Sequence, residues 1–110
     1  MKKKSKPAKQ LCGTLDGLQG SIVAFSRGQS EHLLTVGYPI CYEELEAVRG
    51  GLERLGLYEE IQSVLVRSEA MVREGKYHDA EMLVLDANRN LSEASGANAD
   101  LRRLYMPQKK

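Results

Sequence analysis

Apolar residues recur along this chain at steps of three and four. Leu11, Leu15, Leu18, Ile22 and Phe25 form one such seam. Cys41, Leu45, Val48, Leu52 and Leu55 form a second. Ile61, Val64, Leu65, Ser68 and Val72 form a third, and Ala80, Leu83, Val84, Ala87 and Leu91 a fourth. This spacing gathers side chains on one face of an α-helix, and none of the four spans alternates with the period of two that a strand requires. The pattern predicts an all-α protein of about four or five helices.

Punctuation between the seams divides the chain. Gly37-Tyr38, Gly56-Leu57-Tyr58 and Gly75-Lys76-Tyr77 read as three similar corners, their glycines 19 residues apart. A glycine closes a helix in the left-handed conformation at little steric cost, and a tyrosine just after it can plug the corner. Pro39 suits a helix start, and Glu43 and Glu44, Glu59 and Glu60, and Asp79 favour the positive N-terminal ends of three helices. These signals predict helices over about 42–55, 59–74 and 79–91. "SEASGANAD" (92–100) reads as a break, "ADLRRLYM" as a last short helix, and Pro107 as its end. The organisation is then a basic tail (1–10), a helical domain (11–94), and a short C-terminal helix and tail (95–110).

Glycine weakens two stretches. Gly13, Gly17 and Gly20 interrupt the first seam, each costing about 1 kcal/mol relative to alanine in a helix interior, so that segment is expected to order against a partner. Ser30 is placed to cap a following segment, "EHLLTV". Gly50-Gly51 implies that a neighbour packs closely there or that the helix bends.

Charge changes the picture at one end. The first ten residues carry five lysines and no acid, so the remaining hundred hold a net −4 within an overall +1. A body of that sign is a poor match for nucleic acid, and the head lacks aromatic or arginine support. As a targeting segment the head fails, because Asp16, Gln19 and three glycines break the apolar run that would have to follow. Cys12 is not placed as a lipidation site, with Lys9 and Gln10 before it. No stretch approaches the about 20 apolar residues of a membrane span. Cys12, Cys41, His32 and His78 lack the paired spacing of a zinc site, and two cysteines without an export signal argue against a disulfide. No cofactor or metal is expected. Glu43-Glu44 and Glu59-Glu60 are adjacent pairs whose side chains diverge by about 100° around a helix, so they do not converge on one substrate, and no enzyme is predicted.

The stretch "GKYHDA" (75–80), with Ala80, Val84 and Ala87 on one face, resembles the turn of a tetratricopeptide repeat, which implies a short array of antiparallel helix pairs. Gly56, Gly75, Tyr77 and Ala80 are its structural turn residues, with Tyr77 expected to be buried. Over residues 41–80 the chain also resembles the G-type chaperones of the type III secretion needle (the YscG/PscG family). The matching elements are Cys41-Tyr42-Glu43-Glu44, Leu52-Glu53-Arg54-Leu55-Gly56, and Gly75-Lys76-Tyr77-His78-Asp79-Ala80. The basic, glycine-containing N-terminal segment, the polar stretch after Leu91 and Gly50-Gly51 depart from that family.

That resemblance implies a cytoplasmic, non-catalytic bacterial protein that keeps a needle subunit monomeric before export, together with a small helical co-chaperone. A polymerising subunit presents apolar helical surface, which a groove between helices can bury. On a concave face the candidate partner-binding residues are Leu45, Val48, Leu52, Val64, Arg67 and Met71. Met82 and Leu85, with Val66, are apolar positions off the seams. Such seams also simply close a core. The alternative function is a generic tetratricopeptide-like adaptor, or a chaperone for a different secreted protein.

Overall fold

The structure is a computed structural model that describes residues 6–96, with side chains from Lys9 onward. The five α-helices are α1 (Lys6–Ser26), α2 (Tyr38–Ala47), α3 (Arg49–Leu55), α4 (Tyr58–Arg73) and α5 (Tyr77–Ser95), and a π-helical turn, Leu33–Gly37, leads into α2. Among the described residues there is no strand. The first helix begins at Lys6, so residues 6–10 of the expected tail are helical. Of the break expected over 92–100, residues 92–95 belong instead to α5, which is capped by Gly96 (φ 87°), and residues 97–100 lie outside the described residues. The expected last helix and Pro107 lie outside the described residues.

Three helices end in the same hydrogen-bonded glycine motif. At Gly28 (φ 84°), the Gln29 amide bonds to the Ala24 carbonyl at 2.8 Å and the Gly28 amide to Phe25 at 3.0 Å. At Gly56 (φ 74°), Leu57 bonds to Leu52 at 2.9 Å and Gly56 to Glu53 at 3.1 Å. At Gly75 (φ 81°), Lys76 bonds to Met71 at 2.8 Å and Gly75 to Val72 at 3.1 Å. Each pair satisfies carbonyls that the helix end leaves open, and each needs a left-handed residue.

The corner expected at Gly37 is different. Gly37 is right-handed (φ −61°), and the chain runs from the π-helical turn straight into α2. A Cβ at Gly37 would stand 3.1 Å from Leu33 Cδ1, so close packing inside the turn explains this glycine. The missed corner is Gly28, two residues after the end of α1. Ser30 does not cap through its side chain. It takes φ 52° and offers its carbonyl to the Leu33 amide at 2.9 Å.

The single helix expected over 42–55 is split at Val48 (φ −112°, ψ 17°). The polypeptide bends there, before Gly50-Gly51, and Gly51 is buried in the first turn of α3. Arg49 ties the break together. Its Nε donates to Glu53 at 2.9 Å, its Nη1 to Glu46 at 3.3 Å, and its guanidinium lies 4.4 Å from the centre of the Tyr58 ring. The Tyr58 hydroxyl also donates to Glu46.

Neighbouring helices are antiparallel. The most extensive packing joins the first helix to the last, α1 to α5. Contacts along this seam pair Cys12 with Ser92 (3.6 Å), Asp16 with Asn88 (2.7 Å) and Gln19 with Glu81 (3.0 Å), and the Phe25 and Tyr77 rings meet edge-on at 5.8 Å. On its other flank α1 packs on α2, α2 packs on α4, and α4 on α5. The helix pairs therefore close around one core, in which Leu11, Leu15, Ile22, Leu45, Leu52, Ile61, Leu65 and Leu91 are almost wholly buried. Burying each such side chain contributes about 1.5–3 kcal/mol. The core explains why the glycine-rich first segment is helical: its seam has α5 to pack against.

Candidate functional site

Closure of the helix pairs decides the fate of the residues assigned to a partner. Leu45, Leu52 and Val64 are buried core residues and have no surface to offer, which corrects their placement on a concave face. Val48 and Met71 are half-buried and packed against that core. Arg67 is exposed on α4. Met82 is exposed on α5, and Leu85, three residues on, is half-buried. Val66 is 54% exposed on α4. At about 100° per residue, Val66 lies on the side of α4 away from the buried face, and Met82 likewise on α5. Both point outward from separate helices, so the assigned residues do not converge on one groove. The turn residues fare differently. Gly56 and Gly75 hold the left-handed corners, and Ala80 is fully buried. Tyr77 is half-buried, its ring edge against Phe25, because it starts α5 at the end of the α1–α5 seam rather than inside it.

The buried polar residues serve the fold. The Tyr38 and Ser68 hydroxyls share a hydrogen bond of 2.8 Å across α2 and α4, and Ser68 also reaches the Leu65 carbonyl at 3.2 Å. This is why a serine can stand on an otherwise apolar stripe. Burial pushes the Tyr38 hydroxyl up to about 12, and burial followed by the nearby Glu44 charge pushes the Cys41 thiol up to about 11. Cys41 therefore stays a protonated thiol at neutral pH, a poor nucleophile and a poor metal ligand. The Tyr42 hydroxyl donates to Glu69 at 2.8 Å, and burial, then that carboxylate, raise its pKa. Among the described residues no group of three or more His, Cys, Asp or Glu is placed to hold a metal ion. No described helix is long and apolar enough to cross a membrane.

A long open surface with a shape lies between α1 and α2. Thr14, Gly17 and Ser21 on α1 face Gly37, Ile40 and Glu44 across a trough. Towards the start of α1 the trough continues between Gln10 and Leu11 on one side and Glu43, Ala47 and Val48 on the other. Towards the end of α1 it continues past Ser21 to Val36 and Glu31. The Thr14 hydroxyl donates to Glu44 at 3.0 Å and spans the two walls. Val36 is 49% exposed and Ile40 47% exposed, four residues apart on one face. Gly13, Gly17 and Gly20 turn outward from α1, and a Cβ on any of them would meet nothing within 4 Å.

Sequence reasoning missed this trough, although its signal was present. Gly13, Gly17 and Gly20 repeat at steps of four and three, the same spacing as the Leu11–Leu15–Leu18–Ile22 seam, so they mark the opposite face of the same helix. Val36 and Ile40 carry the same four-residue step across a glycine that had been read as a corner.

No protein-family model matches the chain, and neither the curated proteins nor the solved structures contain a match to it.

Proposed function

We propose that this protein is a non-catalytic chaperone or adaptor that binds an amphipathic helix of another protein, and that its client is a type III secretion needle subunit held monomeric in the bacterial cytoplasm with the help of a small helical co-chaperone. The observation that carries helix binding is the open trough between α1 and α2, flanked by the exposed Val36 and Ile40. A helix has the shape to lie along it, and docking would remove that apolar surface from water. The choice of client rests on the resemblance over residues 41–80. Its elements fall on structural landmarks: Cys41 to Glu44 in α2, Leu52 to Gly56 at the end of α3, and Gly75 to Ala80 at the turn into α5. The protonated Cys41 thiol and the divergent glutamate pairs support a binding role over catalysis.

One observation favours the alternative, an adaptor or a chaperone for a different secreted protein. One whole wall of the trough is α1, which lies outside the resembling stretch. Co-expression with the needle subunit of the same secretion system separates the two. A soluble complex in which the subunit no longer polymerises supports the needle reading. A subunit that polymerises unchanged beside the full chain sinks it.

A further inference from the structure

The trough carries acidic and apolar groups along its length. Glu43 stands at one end beside Gln10 and Leu11, Glu44 and Ile40 line its middle, and Val36 lies at the other end with Glu31 and His32. Among the described residues, no lysine or arginine lines it. Its α1 wall runs from Gln10 and Leu11 past Thr14 to Ser21 and is lowered at Gly13 and Gly17. Three glycines in one helix weaken it by about 3 kcal/mol in all relative to alanine. Nothing inside the protein accounts for them, since each has ordinary helical φ and open space where its Cβ would be. A glycine wall lets an approaching helix come closer than a wall of larger side chains does. From Gln10 to Ser21 the wall is about 17 Å long, roughly three turns of a docked helix.

We propose that the trough between α1 and α2 takes one helix of a partner protein, an amphipathic helix whose apolar stripe covers Val36 and Ile40 and whose lysine or arginine side chains reach Glu43 and Glu44. The inference rests on the helix-binding reading above but not on the identity of the client. Complementary charge selects this occupant. The glutamates call for cations on the partner, and the exposed Val36 and Ile40 call for leucine-like side chains three and four residues apart.

Two synthetic peptides test this with the full chain. Both are about 14 residues long, roughly 20 Å of helix, with one leucine stripe on an alanine background. One carries lysines at its polar end and the other glutamates. The lysine peptide is expected to bind at least ~10-fold more tightly by fluorescence anisotropy. Gly17→Leu, which fills the wall, should weaken it at least ~10-fold, as should Ile40→Glu. Glu43→Lys combined with Glu44→Lys should reverse the preference between the peptides. Circular dichroism and melting of each variant confirm that it is folded. No binding of the lysine peptide, equal binding of the two peptides, or full binding by Gly17→Leu overturns the proposal. So does self-association of the chain that Gly17→Leu abolishes, since the surface is then a contact between copies. The client is a separate matter. If Gly17→Leu still holds a bound needle subunit, the needle reading stands and the trough inference falls. If the peptide preference holds and no needle subunit binds, the reverse is true.

Discussion

Gly75 and Gly17 are the same residue used for opposite reasons. Gly75 sits at φ 81° between α4 and α5, and its left-handed backbone holds the two hydrogen bonds that end α4. Gly17 is an ordinary helical residue in the middle of α1, and the space beyond it is empty. The first is required by the fold, and the second weakens the helix that carries it. The two regions differ in the same way. The α4–α5 corner is finished by its own contacts, with Ala80 and Val84 buried beside it. The outer wall of α1 is bare. A residue whose cost has an internal return is structural, and one whose cost has none points outward.

The comparison breaks first if α1 is not part of the core. Leu15 on α1 and Leu91 on α5 are both wholly buried. Leu15→Ala and Leu91→Ala should each lose about 2–5 kcal/mol in urea or guanidinium unfolding, because truncation leaves a cavity as well as losing apolar burial. A loss at Leu91 with none at Leu15 would mean that α1 is an appendage, and that its bare wall needs no outside partner. Next in size is the corner. Gly75→Ala should cost about 1–2 kcal/mol, the strain of a side chain in the left-handed region, while leaving helix-peptide binding unchanged. An unaltered unfolding midpoint would put Gly75 in the same class as Gly17 and remove the contrast.

How far the sequence revealed this division depends on what each residue answers to. Helical seams and the corners at Gly56 and Gly75 were legible, because spacing and backbone conformation are local properties. Gly37 misled, because a tyrosine following a glycine looked the same as at the true corners, while its actual constraint is Leu33 at 3.1 Å from a would-be Cβ. Leu45, Leu52 and Val64 were assigned to a partner because an open stack leaves one face of each helix free. Whether the stack stays open depends on where α1 goes, and the α1–α5 pairing spans the whole described chain, as in Cys12 with Ser92. The trough follows from that same pairing. It exists because α1 turns its leucines to α5 and its glycines away.

A smaller effect concerns the polar link in the core. The folded values of Tyr38 and Cys41, about 12 and about 11, lie above the ordinary 10.0 and 9.0. Both groups are neutral when protonated, and burial holds them so. The stability they support is therefore fully present below about pH 9 and is lost as pH rises through 9 to 12, since the unfolded chain releases those protons first. Melting temperature should be level from neutral pH to about 9 and fall above it. Tyr38→Phe, which removes the Tyr38–Ser68 hydrogen bond, should cost about 1 kcal/mol near neutral pH and make the alkaline fall shallower. A melting temperature independent of pH up to 11 would show that neither group is sheltered, and that the core is looser around α2 than around α5.

The smallest expected effect has the opposite sign. Gly13→Ala, Gly17→Ala and Gly20→Ala should each stabilise the free protein by about 0.5–1 kcal/mol, because alanine loses less backbone freedom on entering a helix and its methyl group meets nothing within 4 Å. The sites lie on one helix and are close enough to couple, so the triple variant tests the sum only roughly. The informative result is the pairing of two measurements on each variant. If the glycines are there for close approach by another helix, the free protein should melt higher while its affinity for the lysine-flanked peptide falls, most at Gly13 and Gly17, which line the trough, and least at Gly20, which does not. If stability rises and affinity does not change at any of the three, the glycines serve neither the fold nor a docked helix. If stability falls instead, a contact inside the protein has been overlooked on that face, and Gly17 belongs with Gly75 after all.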